Sequence, residues 1–274
     1  PARARSQTRV GARGSMFPYH RAPMSTQPFT PLAIDVRDLR FGYRGEPVPV
    51  LHGLDLAIGP GVRCLLVGKN GAGKTTLLSV LAGRHMIPDE TVRVLGRPAF
   101  SDTSLVRDVS FIGGTFPFDV DLRVREILDA VKGLDVARCR RLCEVLGVER
   151  EWRMCRVSDG QRRRVQILLG LLRPATVLLL DEVTTDLDVI ARTDLLRLLR
   201  EETEARGTTI VYATHILDGL ETWASHIAWL DGGGVRLFAP LAEVPELHRL
   251  REARVPSPLL RLVEGWFRGA VVPR

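Results

Sequence analysis

Eight consecutive residues, Gly68-Lys69-Asn70-Gly71-Ala72-Gly73-Lys74-Thr75, constrain this chain more than any other stretch. They match the pattern G-x-x-x-x-G-K-[ST]. An apolar β-type run, Val62 to Val67, stands ahead of them and a helical pattern, Thr76 to Ala82, follows, which is the context the pattern requires. In such a strand, loop and helix the glycines let backbone N–H groups turn inward around phosphates, and the helix points its positive end at them. Lys74 is placed to reach the β- and γ-phosphates, and the Thr75 hydroxyl offers a coordination position to Mg²⁺. Eight positions in the right strand–helix context argue against a mere Gly-rich turn. The stretch implies a nucleoside triphosphate held by Gly68, Asn70, Gly71, Gly73, Lys74, Thr75 and Thr76.

The 274 residues around this loop suffice for one large domain or two small ones with ample core. The cysteines Cys64, Cys139, Cys143 and Cys155 form no C-x-x-C pair, so a reduced, intracellular setting is expected. Cys139 and Cys143 lie one helical turn apart, but no matching His or Cys pair stands near them, and buried helix positions are expected rather than a metal site. No apolar run approaches the ~18 residues of a membrane span. The net charge of +7 suggests nucleic acid only until it is located. Five arginines, Arg3, Arg5, Arg9, Arg13 and Arg21, precede the first acid, Asp35; subtracting them from +7 leaves +2 for the rest. Nucleic-acid binding is therefore not indicated.

Residues 1–31 lack acids and are rich in Arg, Ser, Thr and Pro, a composition that suits a disordered tail or an organelle transit peptide. Upstream translated sequence is a third reading, since Met16 and Met24 both offer starts. From Leu32 the pattern is β-like through Phe41 and again from Val50 to Ile58, predicting a small antiparallel sheet before the phosphate loop. Strands are expected at Thr91 to Leu95 and Val109 to Ile112. Two helices follow between Val124 and Leu146, broken near Gly133 and Asp135. A helix from Ser158 to Leu172, a strand from Val177 to Leu180, a helix from Val189 to Ala205, a strand from Thr208 to Ala213 and a hairpin from His226 to Phe238 complete the core. Beyond it, Leu259, Leu260, Leu262, Val263, Trp266 and Phe267 share roughly one helical face, which is expected to dock on the domain. The division predicted is 1–31 as a tail, 32–240 as the nucleotide-binding domain and 241–274 as a helical extension.

The run Val177-Leu-Leu-Leu-Asp181-Glu182 is an apolar strand ending in two carboxylates. Beside a phosphate loop, Asp181 suits a Mg²⁺ held through water, and Glu182 can orient or deprotonate an attacking water. Arg156-Val-Ser158-Asp159-Gly160-Gln161, which precedes this strand, resembles the signature motif of ABC ATPases, usually written L-S-G-G-Q. Thr185-Asp186-Leu187-Asp188 resembles the D-loop and Thr214-His215 the switch histidine of that superfamily. The resemblance spans roughly Leu32 to Phe238 and six ordered motifs. It implies an α/β fold with a P-loop NTPase core, an antiparallel β subdomain and a helical subdomain. It also implies adenine stacking on Tyr43, a γ-phosphate role for His215, and a head-to-tail ATP-dependent homodimer. In that dimer Ser158, Asp159, Gly160 and Gln161 would close over the ATP of the opposite subunit, near Asp188. Trp152-Arg-Met154, Ser158 to Gln166, Leu178 to Thr184, Asp186 to Arg192 and Val211 to Ile216 resemble one branch in particular, the soluble single-cassette ABC ATPases of plant subfamily I and a yeast homologue linked to the CCR-NOT complex. That branch implies a protein partner, possession of no transmembrane segment, and a cytoplasmic or nuclear location.

Two positions depart from the superfamily pattern. Asp159 stands where the signature usually has its first Gly; with Ser158 and Gly160 in place the motif is expected to work. After Val109-Ser-Phe-Ile112 the superfamily places a Gln that touches the metal site and relays to a membrane partner, whereas this chain reads Gly113-Gly114-Thr115-Phe116-Pro117-Phe118. The basic triplet Arg162-Arg163-Arg164 starts a helix, so structural and phosphate-facing roles are expected rather than a nucleic-acid patch. Three functions stay open at this level: a regulatory ATPase acting on a protein complex, the nucleotide-binding subunit of a transporter, and an RNA- or ribosome-associated ATPase.

Overall fold

The computed structural model describes residues 31–114 and 121–269. The expectations for residues 1–30 lie outside them, as do Thr115 to Phe118 of the run that stands where the superfamily places its Gln.

Alternation of apolar and polar residues builds the first sheet. In β1 (Ile34–Phe41) and β2 (Leu51–Ile58), Ile34, Val36, Leu39, Leu51, Leu54, Leu56 and Ile58 turn inward. The strands pair antiparallel, and β4 (Val92–Val94) and β5 (Arg97–Pro98) extend the sheet in the order β2-β1-β4-β5. Continuous apolar runs build the second. β3 (Arg63–Val67), β7 (Val177–Asp181) and β8 (Thr209–Ala213) are almost wholly buried, as strands covered on both faces must be. Together with β6 (Val109–Ile112), β9 (His226–Asp231) and β10 (Gly234–Pro240) they form a six-stranded sheet in the order β10-β9-β3-β8-β7-β6. Only β10 pairs antiparallel.

The period of two along the central strands sorts their side chains between two cores. Cys64, Leu66, Val177 and Leu179 face the antiparallel sheet and α1 (Lys74–Leu81). Leu65, Val67, Leu178 and Leu180 face the helical side. That side holds α2 (Val124–Asp129), α3 (Val136–Leu146), α4 (Asp159–Leu171) and α5 (Val189–Arg206). Asp135, which marks the break between α2 and α3, caps α3 by accepting from the Arg138 N–H at 3.0 Å. Cys139 is buried and Cys143 half-buried on α3; among the described residues no cluster of three or more metal-ligating side chains occurs.

After the short α6 (Leu220–Trp223), α7 (Pro245–Glu252) and α8 (Pro258–Phe267) join the same helical-side core. Trp266 stacks on Trp229 of β9 with ring centroids 5.1 Å apart and planes 12° from parallel. Leu259, Leu262, Val263 and Trp266 are buried, as their shared face requires. Leu260 is a correction: it falls between the inward positions and is 38% exposed. Among the described residues no helix is long and apolar enough to cross a membrane.

Candidate nucleotide site

All five parallel strands end on one side, and the loops that follow them carry the candidate residues. β3 runs into the phosphate loop. Gly73, the N-cap of α1, has φ 100°, and a Cβ there would lie 2.7 Å from Leu51 Cδ2. Only glycine meets both constraints, so the loop turns directly beneath the antiparallel sheet. Gly68 is held as closely: a Cβ on it would stand 2.5 Å from the Leu230 carbonyl oxygen. Asn70 and Gly71 form the exposed crest. Behind them Lys74 is buried, and its Nζ donates to the carbonyls of Gly68 at 2.7 Å and Lys69 at 3.2 Å. Burial lowers the Lys74 pKa, and Glu182 and Asp181 oppose that shift. A desolvated cation at a helix N-terminus is a strong attractor for phosphate oxygens.

Tyr43 reaches the same loop from the antiparallel sheet. Its hydroxyl and the Thr76 hydroxyl are 3.1 Å apart, and its ring meets Phe41 and His85 edge-on at 5.3 and 5.6 Å. Tyr43 is 41% exposed, which leaves surface free for stacking. His85 went unnoticed in the sequence, where a lone His after a helix carries no signal.

β7 delivers the two carboxylates. Asp181 is buried close to the Thr75 hydroxyl, and its Oδ1 has no partner. An orphaned carboxylate oxygen beside a hydroxyl is the hard oxygen donor set that Mg²⁺ takes, so the residues fit the ion. Burial raises the Asp181 pKa, against the lowering by the Thr75 hydroxyl, Lys74 and Arg163. A carboxyl with a higher pKa folded than unfolded stabilises the fold below its unfolded pKa, and that contribution disappears as pH rises through the folded value. Asp181→Asn is therefore expected to raise the melting temperature of the ligand-free protein at pH 7. The gain should shrink toward acidic pH, as scanning calorimetry across that range would record. A variant no more stable at pH 7 would mean that burial of this charge costs nothing.

Glu182, one residue on, sits at φ 50°, a left-handed conformation that costs a non-glycine residue about 1–3 kcal/mol. Its N–H donates to the Ala213 carbonyl at 2.9 Å, pinning the turn to the end of β8. The side chain thereby points toward His215. Oε2 lies 3.0 Å from His215 Nδ1 and accepts from the His215 backbone N–H at 3.3 Å. A carboxylate so held can accept a proton from water while the imidazole is fixed beside it.

The signature residues occupy a different element, the start of α4. Ser158 is its N-cap: Oγ accepts from the Gln161 N–H at 3.2 Å, and Gln161 Oε1 accepts from the Ser158 N–H at 2.9 Å. This reciprocal cap leaves the helix N-terminus exposed and rigid. Asp159 falls in the first turn of α4, where a negative charge favours the helix dipole. Gly160 packs on the D-loop: a Cβ there would stand 2.7 Å from the Asp186 carbonyl oxygen. Asp188 caps α5 by accepting from the Ala191 N–H at 2.9 Å, and it also pairs with Arg164.

A family model described as ABC transporter matches residues 51–185, and ABC transporter I family member 21 of Arabidopsis thaliana is 48% identical over 249 residues, covering 86% of each chain. The chain belongs to the ABC transporter family. This cassette binds and hydrolyses ATP. It is also similar to CCR4-associated factor 16 of Saccharomyces cerevisiae, 40% identical over 223 residues that cover 74% of this chain and 77% of the relative. Among solved structures, an ATP binding subunit of an ABC transporter superimposes with a TM-score of 0.69 at 26% identity, covering 85% of this chain and 98% of that one. The fold expected from the resemblance, a P-loop core with antiparallel and helical parts, is the fold found.

Proposed function

We propose that this cassette is a Mg²⁺-dependent ATPase that closes as a head-to-tail homodimer and drives or regulates a protein complex. Lys74, Thr75 and the loop glycines hold the phosphates, Tyr43 stacks on adenine, and Thr75 and Asp181 bear the metal. Bound there, Mg²⁺ neutralises phosphate charge. Glu182 positions water and His215 supports the γ-phosphate. The observation that carries the dimer is the exposed signature cap: the phosphate loop follows β3, while the cap lies on another element, the start of α4, and leaves Ser158 open to solvent. Each subunit supplies the cap that its partner's nucleotide lacks. Likeness to a CCR4-associated factor supports a protein complex of the CCR-NOT type as partner, in the cytoplasm or nucleus, with residues 32–240 as the catalytic domain and 241–274 as its extension.

Light scattering on the Glu182→Gln variant tests assembly. Saturating Mg-ATP is expected to double the mass, because product never forms; a mass that stays monomeric would point to a different cassette as partner. A transporter-subunit reading is favoured by the 26%-identical structure, whose name assigns it to a transporter. Isolation of the ATP-locked variant distinguishes the two: recovery of soluble regulatory proteins supports the proposal, and recovery of a multi-span membrane protein supports the transporter.

A further inference from the structure

The turn after β6 carries Gly113-Gly114 where the superfamily resembled usually places a Gln, and α4 reaches into it. Gly113 has no room for a side chain, since a Cβ would lie 2.6 Å from Asp181 Cβ and 3.1 Å from the Phe111 ring. Gly114 follows at φ 68°, where side chains are strained. Neither position carries a side-chain amide to place beside Asp181. Gln166, on the second turn of α4, does. Its Nε2 donates to the carbonyls of Gly113 at 3.2 Å and Gly114 at 3.4 Å.

A guanidinium sets the orientation of that amide. Arg163, three residues earlier on α4, donates from one nitrogen to Gln166 Oε1 at 2.6 Å and to the Gly114 carbonyl at 3.2 Å. With its oxygen so occupied, the Gln166 amide must present its N–H groups to the turn. The Nε of the same guanidinium lies 3.4 Å from Asp186 Oδ2 in the D-loop. The Arg163 and Asp186 side chains are 16% and 40% exposed, so solvent screens this pair only in part. One face of α4 thus touches the turn beside Asp181 and the loop beside Gly160.

We infer that Gln166 and Arg163 are positioning residues of the ATPase site. They brace the Gly113–Gly114 turn against Asp181 and tie it to the D-loop, in place of a loop glutamine. The brace links the signature helix, which the proposed partner site uses, to the metal carboxylate of the same chain. It rests on the ATPase reading but concerns residues outside the phosphate loop.

Gln166→Met tests it, because the chain length is kept and both donors are lost. Four measurements belong together: kcat, the Mg²⁺ concentration at half-maximal rate, binding of a fluorescent ATP analogue, and hydrogen exchange over residues 109–114. A displaced metal carboxylate is expected to lower kcat by about 10- to 100-fold, since misplacement by about 1 Å can cost that much. The Mg²⁺ requirement should rise, exchange at the turn should quicken, and analogue affinity should stay within about twofold, because the phosphate loop is untouched. Arg163→Lys, which keeps charge but loses the fork, should move the same readouts the same way. The double variant should be little worse than the worse single variant, as for residues acting through one turn. Were Gln166→Met to fold poorly, Gln166→Glu replaces it, offering the two carbonyls a carboxylate with no donor. Wild-type kcat and Mg²⁺ dependence in these variants, even with a lowered melting temperature, would overturn the inference. A wild-type chain that bound no ATP would instead defeat the nucleotide reading, and unchanged exchange at the turn would still reject the brace.

Discussion

Glu182→Gln is expected to slow phosphate release by about 10²- to 10⁴-fold, the usual worth of a positioned general base, while ATP remains bound. Gln keeps the shape of the side chain and its contact with His215, but it accepts a proton poorly. The backbone carries part of this argument. At φ 50°, with its N–H bound to Ala213, the residue is held so that its carboxylate meets His215 at 3.0 Å. Such strain is kept where a side chain must be aimed. Phosphate-release kinetics, paired with binding of a fluorescent ATP analogue, check both halves of the expectation. Near-normal turnover would remove Glu182 from the role.

Lys74→Met should act on binding rather than on chemistry alone. The ammonium is buried beneath the phosphate loop, and two backbone carbonyls, Gly68 and Lys69, are the acceptors it now meets. A hydrogen bond to a charged group is worth about 1.5–3 kcal/mol, so ATP affinity should fall roughly tenfold to a hundredfold. Methionine preserves the stem that packs in the core, which keeps the loss specific to charge. Titration calorimetry would measure it directly, and an unchanged affinity would place the phosphates elsewhere.

Much of the architecture was legible because its signals are local. Alternation at Ile34, Val36, Leu54 and Leu56 marked the antiparallel strands, and the unbroken run Val177 to Leu180 marked a strand covered on both faces. The phosphate loop was legible for the same reason: eight adjacent residues carry the whole signal. The break at Asp135 and the helix start at Ser158 were legible, and the structure makes both residues N-caps; Asp188, read only as part of the D-loop, also caps α5. Leu260 was misplaced because a helical face read from a list of apolar residues is broader than the face that packing uses.

The brace was not legible. Gln166 and Gly113 are 53 positions apart, and no local pattern says that a polar residue inside a helix should point at a turn between two glycines. The sequence marked only the vacancy, a missing glutamine after β6. Nor did spacing foretell that Arg163 and Arg164 of the basic triplet would pair with Asp186 and Asp188. A charge run finds its partners only once the sheet has brought α4 against the D-loop.

The composite dimer is the central claim, and complementation between two inactive variants tests it most directly. Lys74→Met lacks a working phosphate loop, and Ser158→Arg would block the exposed cap of α4. Each is expected to be inactive alone. In a mixed dimer one site combines both defects, whereas the other joins an intact phosphate loop to an intact signature. Mixing the two variants in equal amounts should therefore restore ATP hydrolysis to a substantial fraction of wild type, with the recovered rate rising with total protein. A mixture that stays as inactive as its parents, although both are folded and an affinity tag on one variant pulls down the other in the presence of Mg-ATP, would contradict the account.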